Sequence, residues 1–179
     1  MTNSDTLIKR NKAFAKTDAK SNVPQIPFIP NKQTYVITCI DPRVDPTNIL
    51  GLDLGDAIVA RNVGGRIVPA VLQDLAWISY LHEVKTPDAD WFELMIIHHT
   101  DCGSGFFADS DLRHGFAERG FDEAELAELP VLHPAETVRT DVEKVLAYPN
   151  LSSAVRVSGY TYDLETGLLT EVVAPSQRT

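Results

Sequence analysis

The sequence predicts an α/β protein: a mainly parallel central β-sheet flanked by helices, with an antiparallel strand at one edge. Three observations carry that expectation. Short, β-branched, uniformly apolar runs recur along the chain, as in strands covered on both faces. Segments of helical spacing lie between them, the alternation of a parallel sheet with crossover helices. The last two extended runs meet across Glu165-Thr166-Gly167 and read as an antiparallel edge.

The elements follow in order. Residues 1–33 read as an N-terminal arm and an extended connector. Leu7, Ile8, Ala13 and Phe14 give 1–20 a weak helical pattern, suited to an arm on a partner chain or to a frayed tail. Pro24, Pro27 and Pro30 keep 21–33 extended. Residues 34–179 then form a single domain. Tyr35 to Ile40 is a continuous β-branched strand. Asp45-Pro46 is a helix cap followed by proline at the first helical position, opening a short helix to about Leu50. Ala57 to Ala60 is a second strand, punctuated by Gly64-Gly65.

Val68, Val71, Leu72, Leu75, Ile78 and Leu81 place a helix over 68–84. Leu94 to Ile97 is a third strand, ending at His98-His99. A loop through Gly103 and Gly105 precedes helical patterns at about 109–119 and 136–147, the second stopped by Pro149. Residues 154–162 and 168–173 are the final strands. The acidic stretch from Asp122 to Glu128 reads as a solvated helical face.

Composition excludes several classes. With 16 Lys and Arg against 25 Asp and Glu, the formal charge is −9. Such a surface repels phosphate backbones and anionic lipid, so neither nucleic acid nor membrane is an expected partner. No apolar run approaches the ~20 residues of a spanning helix, and Met1 to Lys20 has no apolar signal core. The expected compartment is the cytoplasm. In that reducing setting the two cysteines, Cys39 and Cys102, point to metal binding or catalysis before a disulfide.

Both cysteines fall at predicted strand ends, where parallel sheets bind ligands. One motif is Cys39-Ile40-Asp41-Pro42-Arg43; the other is His99-Thr100-Asp101-Cys102-Gly103. Together they supply a Cys₂His donor set, three ligands with one place left for water. The same residues also suit two small buried strand cysteines beside a histidine. Zinc on two thiolates and a neutral imidazole carries little net charge, so its water is acidified less than on three imidazoles. Asp41 can orient that water and Arg43 can hold Asp41 ionised, provided the strand end is extended and puts both on one side. Asp101 suits either a hydrogen bond to this loop or a simple turn.

Cys-x-Asp-x-Arg, then Arg61-Asn62-Val63-Gly64-Gly65, then His-x-x-Cys-Gly resembles the β-class carbonic anhydrases from about Thr34 to the C-terminus. The short chain and the string His98 to Gly103 are most similar to a compact subgroup that also holds carbonyl sulfide and carbon disulfide hydrolases. The resemblance implies the β-carbonic anhydrase fold. It implies one zinc ion (Zn²⁺) per subunit on Cys39, His99 and Cys102, and an Asp41–Arg43 dyad as the catalytic pair. It further implies reversible hydration of carbon dioxide to bicarbonate by a zinc-bound hydroxide. Homodimers, often paired into tetramers, are implied as well.

Some relatives regulate the site through a bicarbonate pocket that uses a Trp three residues before the first Cys; here that residue is Val36. Arg61 fits the Arg of that pocket, or a structural ion pair. Phe106-Phe107 suits a subunit interface or a substrate channel, and Trp77 and Trp91 the core or an interface. His98, His114 and His133 are candidate proton carriers.

Two other readings stay in play. One is a carbonyl sulfide or carbon disulfide hydrolase on the same site. The other is a non-catalytic zinc or thiol redox-sensing protein, against which the Asp41–Arg43 pair argues, because structural zinc needs no such dyad.

Overall fold

The computed structural model describes residues 2–21, 23 and 29–178. Pro24 and Pro27 of the expected connector lie outside the described residues; Pro30 is buried.

Helix α1 (Asn3–Phe14) starts with a capping box, in which Thr2 accepts from the Asp5 N–H and the Asp5 side chain accepts from the Thr2 N–H. None of its residues is buried. Beyond it, five strands make one sheet: β1 (Thr34–Cys39), β2 (Ala57–Asn62), β3 (Glu93–His99), β4 (Arg156–Tyr162) and β5 (Leu169–Ser176). Their order is β2-β1-β3-β4-β5, all parallel except the β4–β5 edge pair. The expected fold class is therefore the observed one.

Several boundaries shift, for reasons of register. β2 runs on to Asn62 because Asn62 pairs with Cys39. β3 runs on to His99, opposite Tyr162. β4 begins at Arg156 instead of 154, since Val155 turns back to bond the Ser152 carbonyl.

The helices are α2 (Pro46–Ile49), α3 (Pro69–Lys85), α4 (Ser110–Ala117), α5 (Glu123–Ala127) and α6 (Pro134–Leu146). Proline occupies the first turn of α2, α3 and α6, where its missing N–H costs nothing. The Asp45 side chain caps α2 through the Thr47 N–H at 3.0 Å, as the sequence indicates. Asp122 caps α5, whose residues are exposed apart from Leu126, so the acidic stretch is a solvated face.

The main core joins alternate residues of the sheet to two helices. Tyr35, Ile37, Leu94, Ile96 and Val157 pack with Val71 and Leu75 of α3 and Val138, Val142 and Val145 of α6. The spacing 138, 142, 145 is one helical stripe. Gly159 lets α6 lie close, because a Cβ there would sit 3.0 Å from Val142. A smaller cluster of Cys39, Val44, Cys102 and Val131 gathers at the carboxyl edge of the sheet.

That edge holds a topological feature. From β1 the chain goes outward to β2, then returns through α3 to β3 on the other side of β1. Loops leaving β1 and β3 therefore diverge and open a crevice at their carboxyl ends.

Candidate metal centre

Cys39 closes β1 and His99 closes β3, so hydrogen-bonded neighbouring strands deliver two donors to the crevice. Cys102 follows three residues later, at the start of a short 3-10 turn. One donor atom from each of the three lies within 4.8 Å of the others, and all three residues are buried. This group, found among the described residues, has three members, one fewer than a closed structural zinc site.

The donors are prepared for a metal. His99 Nδ1 lies 2.8 Å from the Thr100 carbonyl, an acceptor, so Nδ1 carries the proton. Nε2 is then left with a lone pair, buried and without a hydrogen-bond partner. A buried orphan acceptor is costly unless something fills it. Burial disfavours the imidazolium, while the nearby Cys39 sulfur and the Thr100 carbonyl favour it and leave its pKa raised.

The two sulfurs lie 3.8 Å apart. The hydrogen bond from the Cys39 thiol lowers Cys102 to about 6, with help from Ser104. That shared bond, together with burial, pushes Cys39 up to about 12. A cation arriving between the two sulfurs displaces their protons, since only thiolates ligate a metal. Three convergent soft or borderline donors, one of them an orphan imidazole nitrogen, fit Zn²⁺.

Ser104 is a member of the site that the sequence did not single out. Its hydroxyl lies 3.2 Å from Cys102 Sγ and accepts the Val131 N–H at 3.1 Å, which leaves its proton for the sulfur. Gly64 and Gly65 make room beneath. A Cβ on Gly65 would meet the Thr38 and Cys39 backbone at 2.8 Å, and one on Gly64 would meet Ser104 Oγ at 3.0 Å. Both have positive φ, so the glycine pair is required by conformation as well as by close packing.

Asp41 and Arg43 do pair, by a geometry other than the expected one. The chain leaves the strand at once, and Asp41 caps a 3-10 turn over Pro42–Val44. Arg43 Nε donates to both Asp41 oxygens, at 3.0 and 3.2 Å, and Nη2 donates to Oδ2 at 2.6 Å. These bonds hold the Asp41 carboxyl down at about 2. The Asp41 N–H meanwhile points at Cys39 Sγ, 3.5 Å away.

Arg61 forms the structural ion pair. It bonds Asp45 at 2.7 Å, the Cys39 carbonyl at 2.9 Å and the Asp41 carbonyl at 2.6 Å, clamping the turn to the strand end. Val36 is wholly buried within β1.

His98 does not face solvent. It is fully buried on the opposite side of the strand from His99, with Nδ1 2.8 Å from the Thr137 hydroxyl and Nε2 3.3 Å from Asp141. Burial removes it as a proton carrier to bulk water. His114 and His133 are exposed. Asp141, wholly buried, also pairs with Arg66 at 2.7 Å and accepts the Ile67 N–H. Trp77 is 60% exposed, while Trp91 packs edge-on against His82.

Beside the donors lies an open cleft of about 500 Å³, lined by Arg43, Asp101, Cys102, Gly103, Gly105 and Phe106. Phe106 is 75% exposed at its rim, and Phe107 turns away to pack on Phe116.

Fold and site together define a class: mainly parallel α/β proteins with a three-donor Cys₂His cluster at the strand ends that could hold a metal. Comparison with known proteins narrows it. Residues 34–119 match the carbonic anhydrase family. "Beta-carbonic anhydrase 1" of Mycobacterium tuberculosis is 27% identical over 147 residues, 82% of this chain and 86% of that one. "Carbon disulfide hydrolase" of Acidianus sp. is 25% identical over 186 residues, 90% of this chain and 85% of that one. The crystal structure of a carbonic anhydrase from Streptococcus mutans superposes with a TM-score of 0.75 at 29% identity, covering 96% of this chain and 98% of that one. Over most of its length the chain is thus similar to β-class carbonic anhydrases and to carbon disulfide hydrolases.

Proposed function

We propose that the protein is a zinc enzyme that interconverts carbon dioxide and bicarbonate. The observation that carries this reading is the orphan His99 Nε2 converging with two sulfurs beside an Asp41 carboxylate locked by Arg43. Cys39, His99 and Cys102 would hold the ion. Zinc, when bound, supplies a Lewis acid that makes water nucleophilic near neutral pH.

The chain's own residues do the rest. Asp41, kept ionised by Arg43, accepts the hydrogen bond that fixes which lone pair of the attacking oxygen faces the substrate carbon. Ser104 and the Asp41 N–H donate to the two sulfurs and moderate their charge. Arg61 keeps the turn bearing Asp41 fixed to Cys39. Phe106 and the glycines give the cleft a wall suited to a small linear apolar molecule. His114, His133 or buffer takes the released proton.

A second reading is favoured by the match to carbon disulfide hydrolases over 90% of the chain. It assigns carbonyl sulfide or carbon disulfide to the same donors and dyad. Homodimers, alone or paired, in the cytoplasm complete the proposal, on the family resemblance, the acidic surface and the reduced cysteines.

The test is a zinc-quantified sample assayed at mildly alkaline pH with carbon dioxide, carbonyl sulfide and carbon disulfide in parallel. Fast hydration with slow sulfide turnover is the expected result. Fast sulfide turnover with negligible hydration establishes the second reading. No turnover of any of the three at full zinc loading overturns both.

A further inference from the structure

We infer that Asp101 is a positioning residue that makes the dyad a three-member chain, Asp41–Arg43–Asp101, strung between the two loops that carry the metal ligands. The inference rests on the reading of the site as a zinc enzyme.

The first observation is conformational. Asp101 stands between His99 and Cys102 with φ of +50°. A residue with a Cβ pays steric energy there, and Asp and Asn are among the few that tolerate it. The turn aims two acceptors of one residue at a single partner. The Asp101 carboxylate accepts from Arg43 Nη1 at 2.8 Å, and its carbonyl accepts from Nη2 at 3.0 Å.

The second observation is how Arg43 is used. Its Nε edge is given to Asp41 and its Nη1 end to Asp101, with Nη2 shared by both. Every nitrogen of the guanidinium is engaged. Arg43 has a long, rotatable stem and is half exposed. Held from one side only, such a group swings about its bonds to Asp41. Held from both ends, its plane is fixed, and so is the carboxylate it grips.

The third observation is that the Asp101 side is itself anchored. The Thr100 N–H bonds the Tyr162 carbonyl at 3.0 Å, and the Thr100 hydroxyl accepts the Leu164 N–H at 3.0 Å. The Gly105 N–H bonds the Cys102 carbonyl at 2.9 Å. The loop from His99 to Cys102 is thus a fixed post for Arg43. An exposed ion pair contributes little to stability, and Asp101 is 81% exposed. Its part is geometric: it sets the angle of the carboxylate two residues beyond Cys39.

The experiment compares Asp101→Gly with Asp101→Asn in the zinc-loaded enzyme. Glycine keeps the turn and the carbonyl contact but removes the carboxylate. Asparagine keeps a neutral acceptor. The expected result for Asp101→Gly is one zinc per chain, KM within about twofold and kcat lower by about tenfold, with Asp101→Asn between it and wild type. In an Arg43→Ala background Asp101→Gly produces no further loss, because its effect passes through Arg43.

A second readout needs no turnover. The Arg43 Nε–H resonance, assigned by its loss in Arg43→Lys, is protected from solvent exchange in wild type and exchanges faster in Asp101→Gly. An undiminished kcat with an unchanged Arg43 signal, or a tenfold loss that persists without Arg43, overturns the inference while the zinc-enzyme reading stands. A wild-type protein inactive on all three substrates overturns the reading of the site. The exchange measurement then still decides whether Asp101 holds Arg43.

Discussion

At the scale of single residues, tasks are divided between side chains that look alike in the sequence. His98 and His99 are adjacent, yet the strand pleat sends one into α6 and the other into the crevice. His98→Gln is therefore expected to affect stability more than turnover. Asp41→Ala is expected to keep its zinc while losing about a hundredfold or more in kcat. Zinc analysis beside steady-state kinetics checks both halves. An Asp41→Ala enzyme with wild-type turnover would remove Asp41 from the mechanism. Cys102→Ser is expected to lose zinc, since it removes one of only three converging donors.

At the scale of elements, the junctions matter most. Asp141 joins α6 to the start of α3 through Arg66 and the Ile67 N–H, and to β3 through His98. Burial alone would raise its pKa, but the bonds to His98 and Arg66 bring it down to about 2. Its folded pKa lies below the unfolded value. The stabilisation is therefore fully present above about pH 4 and lost as pH falls through about 2, a difference on the order of 2 kcal/mol. Urea melts of Asp141→Asn between pH 5 and 2 are expected to show lower stability at pH 5 and a flatter acid limb than wild type.

Gly65→Ala puts a Cβ into the β1 backbone and is expected to cost about 2–3 kcal/mol and to loosen zinc. Thermal melts and metal analysis read both effects. Helix α1 has no buried residue, so among the described residues it adds little to the core. Deleting residues 2–15 is expected to leave the urea midpoint of the dilute monomer unchanged and to lower the dimer fraction measured by light scattering.

At the scale of the whole molecule, the sheet was legible because its strands are covered on both faces and so are written as unbroken β-branched runs. The candidate metal ligands were legible because both motifs end such runs. What escaped was written in residues of ambiguous character. Ser104 looks like a loop serine until Val131 takes its lone pair. Arg66 and Asp141 look like surface charges, 75 residues apart, until the fold closes over them. The Asp41–Arg43 pairing was foreseen but not its 3-10 turn, since Pro42 suits either an extended or a turning chain. Removing zinc with a chelator is expected to leave the far-ultraviolet dichroism intact and to lower Tm, restored in proportion to added zinc. Collapse of the dichroism would show that the metal builds the sheet.

The return of the chain from β2 across β1 to β3 also sets a timetable. Cys39 and Cys102 are 63 residues apart, and His99 arrives with the second of them. At ordinary rates of translation, Cys39 emerges about 3–13 s before its co-ligands exist. A newborn chain therefore carries a lone thiol through that interval, with nothing to chelate an ion. The donors meet only when β1 and β3 hydrogen-bond. On the zinc-enzyme reading, the ion would then be captured only after the two strands have paired, late in the life of the growing chain.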